Sequence, residues 1–342
     1  MKRFNGIALS VAFCSLASQA ALAQTKIDTL KVQNLNEVIV KGVRAAKEAP
    51  YAVANIRKSE LKQFSCSGQE LPFLLSRTPG ILAWSENGIG TGTTYMRIRG
   101  AAGSRINVTL DGVALNSPED QTVFWANMNS YSSLLGSIQV QRGVGSSTNG
   151  DGAFGGSISM ATAAPSLTPT AEVTGSFGSY NTYHTGASFS TGLLGKHLIF
   201  DGAYHETATD GYVDGTAGRS GSYYGGLTWL GDNFKISYKN IGNFEKTGQA
   251  WNGVLGGDYN SNFTLLQDGI RTYKDMYKAG LDKFNVLTGD MVRNDKGDYT
   301  ITPYTLRDGS KWDKTTDNFY QNHNILSATW TSGSHWSRSL SL

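Results

Sequence analysis

The sequence predicts an α+β domain followed by the first strands of an antiparallel transmembrane β-wall. Three observations carry that expectation. Residues 50–164 mix short helix-like and strand-like runs, whereas from residue 165 long stretches alternate apolar and polar side chains. The connections between those stretches are mostly tight on one side and long on the other, which is the rule for outer-membrane strands. Forty-one glycines, sixteen tyrosines and seven tryptophans in 342 residues describe a turn-rich β protein.

The N-terminus sets the compartment. Lys2 and Arg3 precede an apolar run from Ile7 to Leu16, and Ala21-Leu22-Ala23 supplies small residues. This is the pattern of a secretory signal peptide, residues 1–23, with the mature chain starting at Gln24. Phe13 is bulky where a lipoprotein signal needs a small residue before Cys14, so lipidation is rejected. Cleavage leaves Cys66 alone, and no intramolecular disulfide can form. No later run approaches the ~18 apolar residues of a membrane helix. A net charge of +3 is too small to argue for nucleic acid.

Residues 24–49 read as an exposed leader with two extended pieces, 28–32 and 35–40. The next domain, 50–164, reads as two short helices at 59–63 and 69–75, the second ended by Thr78-Pro79-Gly80. Strands follow at 81–84, 96–99, 106–110 and 138–141, with a helix-like piece near 130–135. About 115 residues suffice for one small α+β domain. Asp111-Gly112 is a hairpin-type turn pair. Gly150 to Gly155 satisfies G-x-G-x-x-G, but a β-like run follows where dinucleotide binding needs a helix.

The block Y-M-R-I-R-G, I-N-V-T-L-D-G-V, S-I-Q-V-Q-R-G and N-G-D-G-A-F-G-G-S-I-S-M-A-T, residues 95–162, resembles the plug domain of TonB-dependent outer-membrane receptors. The resemblance implies that Arg97, Arg99, Gly100, Asp111, Gly112, Arg142 and Gly143 form the plug's motif. Its arginines would face the barrel and hold the plug. Residues Leu35, Asn36, Glu37, Val38, Ile39 and Val40 resemble a TonB box, which would add itself as a strand to TonB. The piece at 28–32 looks like the enteric version of that box.

Seven strands are expected in the wall, residues 165–342, at 171–177, 182–190, 196–206, 222–230, 233–242, 318–331 and 335–342. A soluble sandwich would alternate as well, so the connections decide more than the period. Gly192 to Gly195, Gly231-Asp232 and Ser332 to Ser334 are tight; 207–221 and 243–317 are long, and the short 178–181 breaks the rule. Tyr204, Tyr212, Trp229, Tyr238, Trp330 and Trp336 lie near strand ends, where aromatic girdles form. Within 243–317, Glu245 to Val254 resembles an E-K-T-x-x-A-W-N-G-V segment of Bacteroidetes receptors and is expected in an extracellular loop. Receptors of this family close about 22 strands around the plug. An open seven-stranded sheet would leave backbone groups unpaired in lipid, so the chain is expected to be the N-terminal part of a longer receptor.

An enzyme is not expected. The five histidines lack metal-ligand spacing and no G-x-S-x-G elbow occurs; neither a metal nor a cofactor is called for. The resemblance implies energised import of a small ligand, a ferric siderophore being the commonest cargo. TonB and outer-membrane lipid would be the partners. Ligand contacts are expected from apical loops 86–93 and 117–125, with Glu119, Asp120, Gln121, Phe124 and Trp125, and from Trp251. The competing reading is a non-energised β protein that binds a ligand or surface.

Overall fold

The computed structural model describes residues 44–45, 50, 52–145, 153–251, 270, 272–311, 315–332 and 336–341. The signal-peptide and TonB-box segments lie outside the described residues. In the first domain β1 (Ala52–Arg57) runs directly into α1 (Lys58–Ser65), followed by α2 (Leu71–Leu75). A hairpin of β2 (Ile81–Ser85) and β3 (Thr94–Ile98) comes next, then β4 (Ile106–Leu110), β5 (Val113–Ala114), β6 (Leu135–Arg142) and β7 (Gly156–Thr162).

Five of these strands form one sheet in the order β1-β6-β7-β4-β5, with β4 and β7 parallel. Strand β4 buries Ile106, Val108 and Leu110 at alternate positions, the period-2 signature of a strand with one core face. Ile138 and Val140 of β6 and Ile158 and Met160 of β7 join them against Leu61 and Phe64 of α1. Each such side chain contributes roughly 1.5–3 kcal/mol on burial. Helix α1 starts where the Glu60 carboxylate accepts the Arg57 amide at 2.8 Å. Strand β1 was not expected: its identity comes from six-residue pairing with β6, from Ala52↔Arg142 to Arg57↔Ser137.

The wall consists of β8 (Thr170–Phe177), β9 (Tyr183–Ser190), β10 (Leu198–Thr209), β11 (Gly218–Leu230) and β12 (Phe234–Gly248). After α3 (Tyr273–Lys278) and a separate hairpin of β13 (Gly289–Arg293) and β14 (Tyr299–Pro303) it resumes with β15 (Thr316–Ser332) and β16 (Trp336–Ser341). The seven wall strands lie in the order β16-β15-β12-β11-β10-β9-β8, each antiparallel to its neighbours, in an open sheet. Alternation is clear along much of the wall, though Thr170–Val173 are all exposed and 220–222 and 241–243 all buried. Along β10, Ile199, His205 and Thr207 are buried, Thr207 against Gly68 of the first domain, while Phe200 and Tyr204 point outward and stay exposed. Trp229, Tyr238 and Trp330 also face outward, as girdle residues should.

Three expectations change. The connection after β12 is 249–315, not 243–317, and it carries a helix and a hairpin. Glu245 to Gly248 accordingly belongs to β12, paired with β15 from Glu245↔Phe319 to Gly248↔Thr316, and not to a loop. The 207–221 connection shrinks to 210–217 because β10 and β11 remain paired to Thr209↔Gly218. Tyr212 leaves the girdle set: it sits in that loop, its ring against Gly88 of the first domain.

Candidate functional site

The first domain sits on the inner face of the wall, and polar side chains join the two at both ends. At the short-turn end, β4 stops at Asp111, where the turn into β5 needs positive φ at Asp111 (51°) and Gly112 (85°). That turn delivers a buried carboxylate to the wall. Its Oδ2 lies 2.6 Å from Lys239 Nζ and accepts the Thr162 hydroxyl (2.8 Å), while its Oδ1 accepts the Thr162 amide (2.9 Å). Burial opposes ionisation of Asp111, but the Lys239 ammonium and the Thr162 donors outweigh it and hold the carboxyl below its usual range. Nearby, Lys62 of α1 pairs with Glu172 of β8 at 2.7 Å, an exposed contact of small energetic weight.

At the long-loop end, segment 86–93 is pinned. The Asn87 carbonyl accepts the amides of Tyr212 (2.9 Å) and Val213 (3.3 Å). Glu86 accepts from Tyr95 Oη (2.6 Å) and from the Ala250 amide (3.0 Å), the first turn of the long connection. Burial pushes the Glu86 carboxyl up, against the pull of those two donors. Thr93 donates to Glu245 Oε1 at 2.6 Å, and Asn129 donates to Glu245 Oε2 at 2.7 Å. Beside them Glu70, 2 % exposed, accepts the Ser130 amide at 2.8 Å. Burial pushes Glu70 up to about 8; the Ser130 amide opposes this and the nearby Glu245 adds to it. A carboxyl of this kind is protonated at neutral pH and loses little by being enclosed.

The expected residues divide accordingly. Arg142 Nη1 donates to the Pro79 carbonyl at 2.7 Å, within the first domain. Arg97 donates to the Gly100 carbonyl at 3.4 Å. Arg99 occupies positive φ (50°), its amide bonded to Gly80. Gly100 and Gly143 also take positive φ, each directly after a strand-end arginine. Among the described residues Asp111 is the motif residue joined to the wall, through Lys239, while Arg97 and Arg142 donate to carbonyls of their own domain.

Loop 117–125 borders a cavity of about 300 Å³ that Gln321 and His323 of β15 close from the wall side. Phe124 is 56 % exposed at its rim, whereas Trp125 is 6 % exposed and belongs to the core. Glu119 and Gln121 are exposed, and Asp120 is occupied by the Thr122 amide and hydroxyl. Trp251 is exposed beside Ala250. The structure brings loops 86–93 and 250–251 together through Glu86, but packs the former too closely to present it as a free ligand surface. Glu70, Lys239 and Glu245 were missed. The available signal was a charge at an inward position of an alternating strand, or an acid entering the apolar run 71–75.

A first domain seated on one face of a strongly alternating antiparallel wall defines the plug-and-barrel class of outer-membrane receptor. Residues 45–157 match the family described as the TonB-dependent Receptor Plug Domain, and this segment is such a plug. No curated protein matches the chain. Solved structures share the fold. Pyoverdine-bound FpvA of P. aeruginosa aligns with TM-score 0.61 at 14% identity over 86% of this chain and 34% of its own. Fiu, the ferric-catecholate import receptor of E. coli K12, aligns with TM-score 0.59 at 15% identity over 85% and 36%. The copper transporter OprC aligns with TM-score 0.53 at 12% identity over 83% and 35%. At these identities the likeness concerns fold alone, and the chain spans about a third of each receptor's length.

Proposed function

We propose that this chain is the plug-bearing part of a TonB-dependent importer of the outer membrane, and that its cargo is a ferric siderophore. The plug match over 45–157, seated on the wall through Asp111 and Lys239, is the observation that supports the reading. Residues 1–23 act as a cleaved signal peptide, 24–49 as the leader carrying the TonB box at 35–40, 50–164 as the plug and 165–342 as wall. Siderophore cargo is favoured by the ligands named for FpvA and Fiu; copper, named for OprC, is the alternative that the same experiment separates. Phe124 and Trp251, both exposed, serve as aromatic contacts for the cargo.

The test is deletion of residues 35–40 from the full-length receptor in its own cells. Uptake of radiolabelled iron from a panel of ferric siderophores, measured in parallel with uptake of radiolabelled copper, should vanish, while binding of the same iron complexes to isolated outer membranes survives. Unchanged uptake would favour a non-energised binding protein. Uptake of copper but of no iron complex would overturn the siderophore assignment and leave the import reading standing.

A further inference from the structure

The leader was expected to be exposed up to the plug, yet Arg44 and Ala45 lie half-buried on the plug sheet. The Arg44 guanidinium straddles two neighbouring strands. Nη1 donates to Ser137 Oγ (3.0 Å) and Nη2 to the Ser137 carbonyl (3.2 Å), both on β6. Nε donates to Ser159 Oγ (3.2 Å) and Nη2 to the Ser159 carbonyl (3.0 Å), both on β7. One residue on, the Gln139 amide clasps the backbone of Ala45, accepting its N–H at 2.8 Å and donating to its carbonyl at 3.3 Å.

This attachment differs in kind from the one that follows it. Strand β1 joins β6 through a six-residue ladder, which is cooperative. Arg44 and Ala45 are held on the sheet by side-chain contacts, with the guanidinium fork as the main element. A planar fork of fixed donors matches two carbonyls and two hydroxyls at once, and a lysine ammonium cannot. The strands that it grips lead to the wall. Three residues beyond Ser159 on β7, Thr162 donates to Asp111, which pairs with Lys239. Burial pushes the Arg44 guanidinium below its usual range, and the nearby Asp111 carboxylate partly opposes that.

We propose that Arg44 is the fastener between leader and plug: a positioning residue whose guanidinium must detach from Ser137 and Ser159 before force on the leader reaches the β1–β6 ladder. The proposal rests on the import reading above for the source of that force. The clamp itself exists whether or not TonB is the partner. Its location on β6 and β7, inside the sheet and not at its edge, means that pulling loads the side-chain hydrogen bonds of Arg44 and Gln139 first and strand pairing second.

The experiment is single-molecule pulling on the full-length receptor in a bilayer. A handle is attached at Val43→Cys in a background with Cys66→Ser and every other cysteine of the full-length receptor replaced by serine, so that only one thiol reacts. The unmodified clamp should give a discrete first rupture at low force before any plug extension. Arg44→Lys keeps the charge and loses the fork; with Arg44→Ala it should abolish that event or raise its rate about tenfold or more at fixed force, as expected for losing charge-assisted bonds. Ser137→Ala with Ser159→Ala retains both carbonyl acceptors and should give an intermediate rate. Arg44→Lys behaving as wild type would overturn the fork, and an unchanged first rupture in Arg44→Ala would overturn the clamp. Heat-modifiable migration of each variant confirms a folded barrel. In a separate arm, immobilised TonB C-terminal domain should capture the wild-type receptor. Failure there with an intact first rupture would remove the import reading and leave the clamp.

Discussion

Asp111 of the plug and Lys239 of the wall stand 2.6 Å apart at the end of the plug's central parallel pair, both largely shielded from water. Such a pair adds little over an apolar substitute, but loss of one partner strands the other charge. Asp111→Asn or Lys239→Met alone should weaken seating by about 3–5 kcal/mol, and the double variant by less than either. Differential scanning calorimetry of the full-length receptor in detergent would show it. Additive effects would rule out coupling. The Asp111 carboxyl is held below its usual range, so its contribution is present at neutral pH and above its unfolded value. It is lost only as pH falls through the depressed folded value.

Glu70 predicts the opposite slope. Its carboxyl is pushed up to about 8, so between the ordinary value of 4.5 and about 8 the seated plug holds a proton that the unfolded chain has released. Stability must therefore fall as pH rises through that window, by roughly 1.4 kcal/mol per unit at its steepest. Glu70→Gln should match wild type near pH 4.5, exceed it at pH 8, and flatten the thermal midpoint between. Parallel midpoint curves for the two proteins would refute the assignment.

Gly92 tests the pinning of loop 86–93. Its φ is +65°, and a Cβ there would lie 2.9 Å from Thr247 Cγ2 on the wall. Gly92→Ala should cost roughly 1–2 kcal/mol in backbone strain alone and lift the loop from β12. Hydrogen exchange of the 86–93 amides should accelerate, with β4 and β6 unaffected. Unaltered exchange would mean that the wall does not hold the loop.

Phe124 and Trp125 are neighbours with opposite duties. Trp125→Ala should destabilise the plug by about 3–5 kcal/mol through cavity formation. Phe124→Ala, at an exposed rim, should leave the midpoint within about 0.5 kcal/mol and weaken binding of the cargo identified by the uptake panel. Equal affinity in Phe124→Ala would remove that loop face from the ligand site.

The seven wall strands, the plug's helices and the Asp111-Gly112 turn were legible in the sequence, because period, turn chemistry and capping act over a few neighbouring residues. Strand ends were less so. Glu245 to Gly248 looks like loop, yet remains strand because Thr93 and Asn129 satisfy Glu245 from the far side of the interface.

What the sequence determined by itself is therefore local: which residues alternate, where the chain turns, and which block resembles a plug. Tertiary structure alone decided that Arg142 turns inward to Pro79, that Asp111 meets Lys239, 128 residues away, and that Arg44 clamps β6 to β7. Those outcomes depend on which donors and acceptors a closed interface leaves unpaired. Burial makes each unpaired group costly, and only the assembled sheet and wall show which groups are buried.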